Sequence, residues 1–178
     1  LFVGALLKHL RIPKNVQKIG ANAFDANGVQ GITVDEGNTT YDSRNNCNCL
    51  IETATNKVIL GSLGSQIPEG IESIGNMAFQ YCDIQSISLP QSLKAIGDYA
   101  FQTTRLRYIE IPSSVTSIGE NAFYRLSDLK ICKVGYQTLP SIPENAFVGM
   151  SENAKLIVPN GQKATYESAT GWNCFKRS

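Results

Sequence analysis

Ile111-Pro112-Ser113-Ser114-Val115-Thr116-Ser117-Ile118-Gly119-Glu120-Asn121-Ala122-Phe123 is the stretch on which the fold turns. It reads I-P-x-x-V-x-x-I-G-x-x-A-F, and parts of it recur along the chain. Ala-Phe pairs stand at Ala23-Phe24, Ala78-Phe79, Ala100-Phe101, Ala122-Phe123 and Ala146-Phe147. Ile-Gly lies four residues before each of the first four, at Ile19-Gly20, Ile74-Gly75, Ile96-Gly97 and Ile118-Gly119. Pro13, Pro68, Pro90 and Pro112 precede these in turn. The phenylalanine spacings are 55, 22, 22 and 24. Phe2 lies 22 residues before Phe24, so the chain opens inside a copy whose first half is absent.

Between copies runs a second element, L-x-x-I-x-L: Ile84-Gln85-Ser86-Ile87-Ser88-Leu89, Leu106-Arg107-Tyr108-Ile109-Glu110-Ile111 and Leu129-Lys130-Ile131-Cys132-Lys133-Val134. Apolar residues at steps of three and then two describe a turn entering a short alternating strand. A unit of 22–24 residues cannot bury its own apolar face. It must stack on its neighbours, and its Leu, Ile, Val, Ala and Phe then form a continuous core column. The expected fold is a repeat solenoid of about six units, the first truncated.

Two stretches break the period. Asp35 to Gln66 is an island of 32 residues. Its runs Cys49-Leu50-Ile51 and Val58-Ile59-Leu60, around the polar Thr53-Ala54-Thr55-Asn56, read as a hairpin. Such a hairpin, inserted between coils, need not carry the core column. After Val158-Pro159, Asn160-Gly161 is a turn, Lys163 to Ala169 can make two helical turns, and Gly171 follows as a C-cap. Residues 159–178 thus read as a C-terminal cap, with Tyr166, Trp172 and Phe175 over the last coil and the whole of 1–178 forming one domain.

Composition narrows the function. Sixteen Lys+Arg against fifteen Asp+Glu leave a formal charge of +1, without the concentrated basic face a nucleic-acid binder needs. No run of about 18 apolar residues exists, so nothing in this sequence reads as a membrane-spanning helix. Leu1 is not a methionine, and no signal peptide precedes the repeats, so the chain reads as a piece of something longer. Cys47, Cys49, Cys82, Cys132 and Cys174 fit no zinc spacing. Cys47 and Cys49 would share one face of a strand, a poor geometry for bridging each other. Cys82 and Cys132 fall at apolar template positions and read as buried hydrophobes. No phosphate-loop pattern occurs, so the repeated Gly serves a positive-φ turn or the close approach of stacked backbones. Nothing calls for a cofactor or a metal.

The repeat resembles the BspA-like leucine-rich repeats, the TpLRR type of bacterial surface proteins, from Phe2 to Pro159 apart from the island. That resemblance implies an arc-shaped solenoid with a parallel sheet on its concave face. It also implies a secreted or cell-surface setting and a role in adhesion, with extracellular proteins or glycans as partners. Two departures bear on local geometry. Three of the links between Phe and the following strand are one residue short, and the Ile142-Pro143 copy has lost its Val and its Ile-Gly.

Positions the core does not dictate are the functional candidates. In L-x-x-I-x-L the residues flanking the inner Ile face away from the core. Stacked copies then give a ladder of His9 and Arg11, Gly31 and Thr33, Ser86 and Ser88, Tyr108 and Glu110, Ile131 and Lys133, and Lys155 and Ile157. The bland reading is a solvated sheet face. The sharper one is a partner-binding face centred on Tyr108 and Glu110, since Tyr is over-represented at binding hot spots and Ile131 would be an exposed apolar neighbour. His9 has no acidic or histidine neighbour in register and reads as an exposed polar residue. A passive spacer is the rival reading. A polysaccharide-cleaving β-helix comes third, because such chemistry needs paired carboxylates and Glu110 is alone on the ladder.

Overall fold

The computed structural model describes residues 8–20, 23–24, 26–136 and 138–175, so the Phe2 to Leu7 opening of the first copy lies outside the described residues. The strands in chain order are β1 (His9–Ile12), β2 (Gly31–Val34), β3 (Tyr41–Asp42), β4 (Leu50–Glu52), β5 (Lys57–Leu60), β6 (Ser73–Ile74), β7 (Ala95–Ile96), β8 (Tyr108–Ile111), β9 (Ser117–Ile118), β10 (Ile131–Val134) and β11 (Lys155–Ile157). One helix, α1 (Lys163–Ser168), follows. The chain is a solenoid with parallel sheets.

The L-x-x-I-x-L segments form the expected parallel ladder. Strand β1 pairs β2 with His9 opposite Gly31 and Ile12 opposite Val34. Strand β10 lies between β8 and β11, with Ile131 opposite both Tyr108 and Lys155. Inner residues of β8 are buried while Tyr108 and Glu110 are exposed, as a period of two requires. The ladder is broken at its centre, against expectation. Ser86 to Leu89 keep the alternation, with both serines exposed, but they make no strand. The island lies before this coil in place of a repeat, so its backbone has a repeat neighbour on one side alone, where Arg107 N–H donates to the Gln85 carbonyl. An isolated two-strand pairing is marginal. The coil is correspondingly looser: Ile87 and Leu89 keep 9% and 8% of their surface, whereas Ile109 and Ile111 keep none.

A second ladder runs along another face, one the sequence reading did not foresee. The V-x-x-I-G segments make two-residue strands, with Ser73 opposite Ala95 and Ala95 opposite Ser117. The glycine after each Ile serves close approach, and none of Gly75, Gly97 or Gly119 has a positive φ. A Cβ on Gly97 would fall 2.7 Å from the Asn76 nitrogen and 2.8 Å from the Gly75 carbonyl carbon. Neighbouring coils must then separate. Gly97→Ala is expected to lower stability by about 1–3 kcal/mol, seen as a lower denaturation midpoint. Gly135→Ala, where the nearest atom is 3.8 Å away, is the control that should shift little.

Inside, the Ala-Phe positions build the core column. Phe79, Phe101, Phe123 and Phe147 are buried and stacked, with centroids 5.2, 5.5 and 4.8 Å apart. The turns that carry them are cross-linked too. N–H groups of Met77, Phe79 and Tyr81 donate to the carbonyls of Asp98, Ala100 and Gln102 in the next coil. Those of Tyr99, Phe101 and Thr103 donate in turn to Glu120, Ala122 and Tyr124. Met77, Tyr99 and Asn121 hold the left-handed backbone of this turn. At the C-terminal end Trp172 and Phe175 close the ring stack at 5.7 and 5.1 Å from Phe147, and Tyr166 packs edge-on against Trp172. The helix, however, ends at Ser168 with Ala169 as its C-cap, and Gly171, with its positive φ, turns the chain two residues later.

The island departs most from expectation. Its hairpin forms, β4 antiparallel to β5, with β3 added on the outside. It is, however, part of the core column. Cys47, Cys49, Leu50, Ile51, Val58 and Leu60 are all buried in it, and β5 pairs parallel with β6 to start the second ladder. Gly61 N–H donates to the Ala78 carbonyl, and a Cβ there would sit 2.0 Å from the Phe79 ring. The phenylalanine stack therefore ends against glycine backbone, and Phe24 lies beyond it, half-buried.

Candidate binding face

The structure divides the candidate residues into two patches. At the N-terminal end His9 and Arg11 project from β1. The His9 ring covers Gly31, with Nδ1 2.8 Å from where a Cβ would stand, and its Nε2 lies 3.4 Å from the Thr33 hydroxyl. Arg11 is clamped by both carboxylate oxygens of Asp35, at 2.6 and 3.1 Å. That contact holds the Asp35 carboxyl below its usual range. Ser86 and Ser88 face solvent in the gap between the patches, without ladder partners.

The second patch, on β8, β10 and β11, brings Tyr108, Glu110, Ile131 and Lys133 together as register predicts. Glu110 accepts from Lys133 Nζ at 2.8 Å and from the Tyr108 hydroxyl at 2.8 Å. These two donors, Lys133 first, hold its carboxyl below the usual range. Tyr108 moves the other way, raised by desolvation and then by its hydrogen bond to Glu110. The carboxylate thus fixes the tyrosine ring in one orientation while 39% of the residue stays exposed. Ile131 is half-buried rather than exposed, since Tyr108 and Lys155 flank it on the adjoining strands. Ile157 supplies the exposed apolar surface instead, at 45%. It sits opposite Lys133 on the last strand of the sheet. This patch presents an oriented aromatic, two isoleucines and an internally neutralised ion pair.

A second concavity, of about 390 Å³, opens between the first coil and the island hairpin. Ile19, Phe24, Tyr41 and Ile59 line it, with Glu52 and Lys57 beside them. No motif announces it, because it exists where the repeat is interrupted. Cys82 and Cys132 are buried, as their template positions implied. Among the described residues no group of three or more His, Cys, Asp or Glu is placed to hold a metal, and no helix is long and apolar enough to cross a membrane.

Comparison with known proteins agrees with this architecture. A leucine rich cell surface protein from Faecalibacterium prausnitzii superposes with a TM-score of 0.67 at 24% identity, over 96% of this chain and 52% of its own. A leucine-rich repeat protein from Eubacterium ventriosum gives 0.64 at 22% identity, over 85% of this chain and 42% of its own. The pneumococcal vaccine antigen PcpA gives 0.61 at 20% identity, over 92% and 54%. The chain spans about half of each of these proteins, and the likeness is one of fold. No curated protein is significantly similar in sequence. Six copies of the BspA type leucine rich repeat region match residues 1–66 and 60–174, and the chain belongs to that family.

Proposed function

We propose that this chain is a non-catalytic binding module of a bacterial surface or secreted protein, and that it takes an extracellular protein on the β8–β10–β11 end of its concave face. The observation that carries the reading is the Tyr108 ring, half out of the surface and fixed by Glu110, with Ile131 and Ile157 beside it. Interface hot spots are rigid aromatics with apolar neighbours and a polar surround. Two isoleucines favour a protein over a glycan as the partner. The surface setting rests on likeness to proteins named as cell-surface protein and vaccine antigen.

The test is a binding screen of the chain against host matrix proteins and a glycan array, followed by Tyr108→Ala combined with Glu110→Ala. Both side chains point away from the core, so the melting temperature should hold. Affinity for a captured protein should fall at least about tenfold, or 1.4 kcal/mol. Unchanged affinity in the double variant would move the site to the island concavity or the convex side. A blank screen with intact folding would favour a passive spacer.

A further inference from the structure

The tripeptide Cys47-Asn48-Cys49 is not in a strand. Asn48 has a φ of 52°, and Asn45 and Asn46 before it are also left-handed, at 57° and 52°. Asn is among the non-glycine residues that accept this conformation most readily. An extended middle residue would hold the flanking Cα atoms about 7 Å apart, beyond the reach of a disulfide. A left-handed one draws them into the range of about 4.4–6.8 Å that a disulfide spans. The side chains follow the backbone inward. Cys47 Sγ lies 3.7 Å from the Cys49 carbonyl oxygen, and Cys49 Sγ lies 3.4 Å from the Cys47 carbonyl oxygen. Each thiol is folded back over the other residue.

We infer that Cys47 and Cys49 are a dithiol–disulfide couple, which closes a ring through Asn48 by exchange with a low-molecular-weight disulfide of the glutathione type. The two sulfurs already have unequal roles. A hydrogen bond from Cys49 favours the Cys47 thiolate and lowers its titration, while the same contact and burial raise that of Cys49. Cys47 thiolate attacks one sulfur of the disulfide, forms a mixed disulfide and expels one glutathione thiolate. Cys49 then loses its proton to solvent and attacks the Cys47 sulfur, expelling the second. The pair gives up two electrons and two protons, and one glutathione disulfide becomes two glutathione thiols.

Both cysteines are buried at the island's end of the core column, and the 62–66 segment is bonded across their tripeptide. Ser62 and Ser65 hydroxyls donate to the Asn48 carbonyl at 2.9 Å, Asn48 Nδ2 donates to the Gly64 carbonyl at 3.2 Å, and Gln66 N–H donates to the Cys47 carbonyl at 2.9 Å. The segment is also tied to the first coil, where Leu63 N–H donates to the Val29 carbonyl at 2.9 Å, so lifting 62–66 to admit the reagent breaks that bond as well. The couple also adjoins the concave face, since Asn48 Oδ1 lies 3.3 Å from where a Gly31 Cβ would stand, next to the His9 ring. Oxidation would fix Asn48 at that N-terminal end.

The folded chain is equilibrated with oxidised and reduced glutathione, quenched in acid, unfolded, alkylated with iodoacetamide and mapped by mass spectrometry. Two of the five thiols should be lost, both in one peptide that is two hydrogens lighter, unalkylated and free of glutathione. In Cys49→Ser the ring cannot close, so Cys47 should accumulate as its glutathione mixed disulfide. Five alkylated thiols in the unsubstituted chain would overturn the inference. So would a bridge that includes Cys82, Cys132 or Cys174, or a glutathione adduct that persists on Cys47 beside an intact Cys49. The map of the unsubstituted chain decides the matter even if Cys49→Ser fails to fold.

Discussion

Phe101→Ala is expected to lower the stability of the chain by about 3–5 kcal/mol. Phe101 has no exposed surface, and its ring lies between those of Phe79 and Phe123, at 5.2 and 5.5 Å. Those neighbours cannot slide into the vacancy. Each is anchored by its own turn, whose N–H groups are bonded to the following coil, so the cavity persists and its lining loses dispersion contacts. The Phe101 backbone bonds survive the substitution, which confines the loss to the side chain. Equilibrium unfolding in urea should give a lower midpoint with an unchanged slope. An unaltered midpoint would mean that the Ala-Phe register is wrong. Phe24→Ala, at a half-buried site beyond the island, should cost clearly less.

Trp172→Ala should remove a comparable amount, about 3–5 kcal/mol, but in a different place. Trp172 is buried under the last coil, 5.7 Å from the Phe147 ring, 6.0 Å from Tyr136 and 5.5 Å from Tyr166. Its indole N–H donates to the Pro140 carbonyl at 3.4 Å. In a stack where each coil touches only its neighbours, damage at an end frays that end first. Hydrogen exchange should accelerate through residues 142–175, while the amides of Phe79, Phe101 and Thr103 keep most of their protection. A uniform loss along the chain would show that the coils are coupled far beyond nearest neighbours.

How far the sequence revealed this can be read at particular residues. Phe101 and Ile109 declare themselves, because the same residue type returns at the same offset and the only common cause is a shared column. Tyr108, Glu110 and Lys133 follow from strand alternation alone. The second ladder was missed because Ser73-Ile74 and its counterparts are too short to show a period of two. The burial of the island was missed for a related reason. Leu50, Ile51, Val58 and Leu60 obey no repeat offset, and a period is silent about residues that replace one of its units. Ile157 stood in the ladder, but its exposure depends on β11 being the last strand of its sheet, which no local pattern encodes. The Cys47–Cys49 approach turns on one backbone dihedral at Asn48, which composition hints at and spacing does not fix.

In the Ala-Phe turns the bonds between successive coils all run the same way. The V-x-x-I-G ladder donates in the opposite sense, from Gly97 N–H to the Ile74 carbonyl and from Gly119 N–H to that of Ile96. From Met77 to Arg125, each of the Ala-Phe turns offers hydrogens toward the C-terminal end and oxygens toward the N-terminal end. Along this one edge the peptide dipoles add, as they do in an α-helix, and give the column of turns a local electrical direction. A neighbour placed before Phe79 must bring a donor, which the amide of Gly61 does. A neighbour placed in line after Phe147 would have to bring acceptors. Two copies meeting by like ends would set donor against donor or acceptor against acceptor at these turns. At this edge head-to-tail stacking is the arrangement that meets every donor with an acceptor, and it is the one that tandem duplication of a repeat produces within a single chain.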